Sequence, residues 1–82
     1  MRWILARRSA SSPTELAYFT GSMTAVQTDE GLYLSPGTGF FLADAFIFPS
    51  LAIAGACVTL LDQHMLGTAS FMVLPYVGDA AT

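Results

Sequence analysis

Side chains that could carry chemistry gather at one place in this chain, "DQH", Asp62 to His64. A histidine nitrogen of His64 or the amide oxygen of Gln63 can ligate the magnesium of a pigment or hydrogen-bond a lipid head group; the plainer alternative is a solvated connector. No catalytic set is completed around them. The sequence shows no paired nucleophile motif, no glycine-rich phosphate loop and no metal-ligand spacing. Its single cysteine, Cys57, stands inside an apolar run, so an intrachain disulfide is excluded. Met65 and Met72 read as packing, because a copper or haem site needs further ligands at fixed spacing. These residues point away from an enzyme.

The elements that would position them are set by an unusual composition. Charged residues are 11% of 82, against about 25% in a typical soluble domain, and the mean hydropathy is +0.57. A domain this small leaves roughly 40% of its unfolded-chain surface exposed, which a soluble version would fill with charge. The apolar excess is concentrated in residues 39 to 61 and 65 to 77, whereas 9 to 38 read as ordinary polar chain. Lysine is absent, and Arg2, Arg7 and Arg8 precede every acid, so no basic surface for nucleic acid is expected.

The stretch "GFFLADAFIFPSLAIAGACVTLL", residues 39 to 61, contains one charge, Asp44, and one proline, Pro49. As a helix, Phe40 to Leu61 would rise roughly 33 Å, enough to cross a hydrocarbon layer of about 30 Å once. The expected fold class is therefore an all-α membrane protein. Its parts are a soluble N-terminal arm, 1–38, a single transmembrane helix, 39–62, and a short apolar tail, 63–82, lying at the interface or against a partner. In the arm, Ser12 offers an N-cap, Pro13 a first helical position and Glu15 a capping-box acid, which predicts a helix over 13–20 with Gly21 as its stop. Asp29 to Gly31 mark a turn, Leu32 to Leu34 an extended piece, and "SPGTG", Ser35 to Gly39, a second turn. The opening "MRWILARRSASSP" has the arginine and serine content of an organelle transit peptide; a retained anchor at the membrane face is the alternative.

An acid inside a span is costly unless it faces protein. At about 100° per residue, Asp44, Leu51, Gly55 and Asp62 fall nearly on one line, with Ala52 and Thr59 beside it. Small residues at that spacing let a second helix approach closely, so Asp44, Leu51, Ala52, Gly55 and Thr59 form the expected docking face. Pro49 predicts a bend, with Ser50 placed to re-satisfy the backbone.

The order "FFLADAFIFPSLAIAGACVTLLD" resembles the single span of photosystem I reaction centre subunit VIII, through Phe40, Phe48, Pro49, Ala52, Ala54, Leu61 and Asp62. That resemblance implies a thylakoid subunit without catalytic residues, holding neighbouring subunits and pigments in place. No cofactor is expected on the chain alone; chlorophyll or carotenoid would sit at subunit interfaces, touched by Gln63 or His64. The leading expectation is thus a non-catalytic accessory subunit of a photosynthetic membrane complex, partnered by larger membrane subunits and the lipid bilayer. The alternative is an accessory single-span subunit of a respiratory complex or ATP synthase, placed in the mitochondrial inner membrane or a bacterial membrane. A third reading is a small soluble interaction protein whose apolar runs pair as a helical hairpin.

Overall fold

Aromatic and β-branched residues favour a pleated, half-buried backbone over a helix, and Tyr18, Phe19, Thr20, Thr24, Val26 and Thr28 crowd one segment of this chain. In the computed structural model, which describes residues 1–9, 14–64 and 70–77, that segment is a strand. Four strands form one antiparallel sheet: β1 (Trp3–Arg8), β2 (Leu16–Thr28), β3 (Gly31–Gly39) and β4 (Met72–Pro75), in the order β3-β2-β1-β4. Register sets Ala6 opposite Tyr18 in β2 and Ile4 opposite Leu74 in β4, so the first strand in sequence is flanked by the second and the last. A 3-10 turn, Leu42–Asp44, follows β3, and one helix, α1 (Leu51–His64), packs on β1, β3 and β4.

This architecture overturns the expected all-α membrane fold. Pro49 does not bend a long helix; it precludes one, because the residue before a proline is driven out of the helical region. Phe48 is held extended instead: Trp3 N–H donates to its carbonyl at 2.9 Å, and its own N–H donates to the carbonyl of Trp3 at 2.7 Å. Ser50 then caps a fresh start, its Oγ accepting from the N–H of Ile53 at 3.1 Å. The helix that follows has 14 residues, a rise of roughly 21 Å against a bilayer core of about 30 Å. Among the described residues no helix is long and apolar enough to cross a membrane. The membrane assignment, and with it the thylakoid and mitochondrial inner membrane locations, rested on that span and is withdrawn.

The flanking segments are corrected by the same sheet. The helix expected over 13–20 is the first part of β2 from Leu16 onward, while Pro13 lies outside the described residues. Trp3–Arg8, read as a targeting or anchoring segment, is a central strand. The turn at Asp29 and Glu30 is present, and the extended piece after it continues through Ser35 to Gly39 as β3 rather than turning there. Within the apolar tail, Met72–Pro75 is the edge strand β4. Both edge strands carry a proline, Pro36 in β3 and Pro75 in β4, which interrupts the row of free donors that would otherwise invite another strand.

Alternation along the strands divides the sheet into two faces. Leu5, Phe19, Phe48, Ala54, Leu61 and Phe71 form the core on the α1 side, with Trp3, Cys57, Val58 and Val73 packed around it. Phe19 is its hub, with ring centroids 6.4 Å from Phe46, 6.4 Å from Phe48 and 5.9 Å from Phe71. Beyond Phe19 the pairing slips at a bulge before Met23, and Gly21 takes a φ of +92° with the Phe46 ring against its Cα, a site that only glycine fits without strain. Past that point β2 is exposed from Gly21 to Gln27 and the β2-β3 hairpin stands clear of the core.

Two neighbouring leucines separate this fold from a lipid-facing span. Leu61 is 0% exposed and Leu60 is 56% exposed. Leu61→Ala is expected to cost about 2–5 kcal/mol, whereas Leu60→Ala should stay within about 0.5 kcal/mol. Urea unfolding followed by tryptophan fluorescence measures both, and equal effects would contradict the burial assigned here.

Candidate docking surface

Residues of α1 are apolar nearly all round, yet among the described residues only one side of the helix has a neighbour. Ala54 and Leu61 are buried against the sheet, with Cys57 and Val58 half-buried beside them. At about 100° per residue the opposite direction is taken by Ala52, Ala56, Thr59 and Gln63, flanked by Ile53 and Leu60 on one side and Leu51 on the other. All seven are exposed. Leu51 is 53% and Ile53 51% open to solvent, values close to that of Leu60. A Cβ added at Gly55 would meet nothing within 4 Å. Thr59 turns its hydroxyl inward, donating to the Gly55 carbonyl at 3.1 Å, so it offers a methyl rather than a free polar group outward.

The structure separates the residues that helical geometry put on one line. Leu51, Ala52 and Thr59 share the outer side of α1, and Gly55 lies half-buried at its margin. Asp44 does not belong to this helix. It closes the 3-10 turn, its N–H donating to the Phe41 carbonyl at 2.9 Å, and its carboxylate lies beside Gly39. The turn packs against β2 and β3. Ala56, which shares the small-residue spacing with Ala52, lies on the outer face too; Ile53 and Leu60 complete that face and were not singled out by the sequence, although their spacing on a helix beginning at Leu51 would have revealed them.

Gln63 and His64 are exposed at the C-terminal end of α1. Asp62 is tied down instead, accepting from Ser70 Oγ at 3.1 Å and linking the helix end to the approach of β4. Contact of Gln63 or His64 with chlorophyll or carotenoid was expected at the end of a membrane-spanning helix, and α1, at 14 residues, is too short to be one. Met65 lies outside the described residues, and Met72 is an exposed residue of β4. Among the described residues no three of the His, Cys, Asp and Glu side chains come close enough to hold a metal ion together.

Burial pushes the Cys57 thiol above its ordinary value of 9.0, because the thiolate would lose hydration beside the core. The sign of the linkage follows from the raised value. The thiol's contribution to stability is complete below about pH 9 and is lost as pH rises through the folded-state value, since the unfolded chain deprotonates first. Iodoacetamide labelling against pH should therefore show its inflection at higher pH in the native protein than in urea; coincident inflections would contradict the packing of Cys57.

Compared with models of protein families, with curated proteins and with solved structures, the chain matches none.

Proposed function

We propose that this chain is a non-catalytic accessory module that joins a larger protein assembly by docking the outer face of α1 against a helix of its partner. The accessory role read from the sequence carries over, without the membrane and without pigment. One observation carries it: Leu51, Ile53 and Leu60 stand exposed around Ala52 and Ala56 on a helix that is apolar on both sides. A helix hydrophobic all round is ordinarily covered all round, and the sheet covers one side only. Small residues along the middle of that face, with open space at Gly55, let a second backbone approach closely while the larger side chains close over the contact. Exposed apolar patches of this kind mark protein interfaces in folded domains.

The test places a photo-crosslinking side chain at Ala56 and, as a control, at Thr24 in the hairpin, both in the native cell. The expected result is an adduct of one fixed mass from position 56 and none from 24. Ala56→Arg should remove the native complex while changing stability by no more than about 0.5 kcal/mol, since the site is exposed. A chain that migrates as a free monomer in native extract, unaltered by Ala56→Arg, would overturn the proposal.

A further inference from the structure

The side of the sheet away from α1 carries a separate feature. Leu16 and Tyr18 alternate with the buried Ala17 and Phe19 and so point to that far side. With Glu15, Phe40 and Phe41 they line an open cleft of about 490 Å³. Three aromatic rings and one carboxylate in a single cleft form an environment that attracts a cation, through the negative faces of the rings and the charge of Glu15.

The rest of the sheet shows how this protein treats such rings. The Arg2 guanidinium lies 5.1 Å from the Tyr76 ring centroid, and that of Arg7 lies 4.8 Å from Phe71. Among the described residues, no cation lies over Tyr18, Phe40 or Phe41, and none of these three rings packs against another aromatic. Nor does the Glu15 carboxylate have a hydrogen bond or ion pair among those residues. The chain has only three arginines and no lysine. Two of the arginines lie over other rings, and Arg8, opposite Leu16 in the register, does not line the cleft.

We propose that this cleft receives an arginine side chain presented by a partner protein. A planar guanidinium can stack on the ring of Phe41 or Tyr18 and still direct its N–H groups to Glu15, a combination that a compact ammonium matches less well. The openness of the cleft favours a side chain delivered on a peptide over a free small molecule, which needs most of its own surface buried to bind. Phe41 is 73% exposed, and among the described residues no aromatic or cationic contact accounts for its ring at the surface. This site is independent of the outer face of α1, which lies across the sheet.

The probe is a capped Gly-Gly-Arg-Gly-Gly peptide, titrated into the isotopically labelled chain and followed by amide chemical shifts, with its citrulline counterpart as the neutral isostere. Expected are saturable shifts at Leu16, Tyr18, Phe40 and Phe41, with the citrulline peptide bound at least about fivefold more weakly. Glu15→Gln and Phe41→Ala should each weaken the arginine peptide by about threefold, and Phe41→Tyr should retain its binding. Equal binding of the two peptides overturns the proposal, as does a set of shifts outside the cleft or no shift up to about 10 mM peptide. The peptide comparison uses the unaltered chain, so it decides the matter even if a substitution disturbs folding.

Discussion

Phe19 is the residue on which the rest of the structure depends. Its ring meets Phe46, Phe48 and Phe71, and its carbonyl accepts from the N–H of Phe46 at 2.8 Å. Those partners come from the segment before α1 and from the approach to β4, so one side chain of β2 gathers parts of the chain that are far apart in sequence. Phe46 and Phe48 also pack edge to face at 4.9 Å. Such ring pairs add about 0.5–1.5 kcal/mol beyond their buried area, which matters in a domain whose small size limits its core. Apolar residues that looked like a membrane helix are, in this arrangement, the aromatic filling of a sheet.

The same arrangement explains why α1 is apolar on both sides. Its inner side contributes Ala54 and Leu61 to the core, small and large residues that let the helix lie close to β1 and β4. Nothing in the packing of the described residues requires Leu51, Ile53 or Leu60 on the other side, and leaving them in water forgoes their burial. A docking role gives those residues a physical use. The low charge content, which first suggested lipid, fits a surface that is partly an interface between proteins.

Part of the local structure was legible in the sequence. Asp29 to Gly31 gave the hairpin turn through ordinary turn chemistry, whereas Gly21, expected to stop a helix, sits inside β2 at a bulge, and Ser50, expected to mend a bend, caps the start of α1. Length alone favours one helix through this stretch, and the proline at 49 decides against it. Counting residues from Phe40 to Leu61 treated Pro49 as a bend, although Phe48 before it is confined to extended backbone and pairs with Trp3. Short apolar runs do not reveal whether their period is two or 3.6. "WILARR" and "MVLP" became strands because they pair with each other across the whole chain, a contact that no local pattern announces. The expected face keeps only part of its helix. Leu51, Ala52, Gly55 and Thr59 do share a helix, whereas Asp44 was assigned to it by a periodicity that does not continue through the proline.

Nuclear Overhauser contacts between backbone protons in the intact chain test the central claim most directly. The account predicts cross-strand contacts between Leu5 and Val73 and between Ala6 and Tyr18, with a run of sequential helical contacts through Leu51–His64 and none from Phe46 to Phe48. An unbroken run of helical contacts from Phe40 through Leu61, with the cross-strand contacts missing, would contradict it and restore the single long helix.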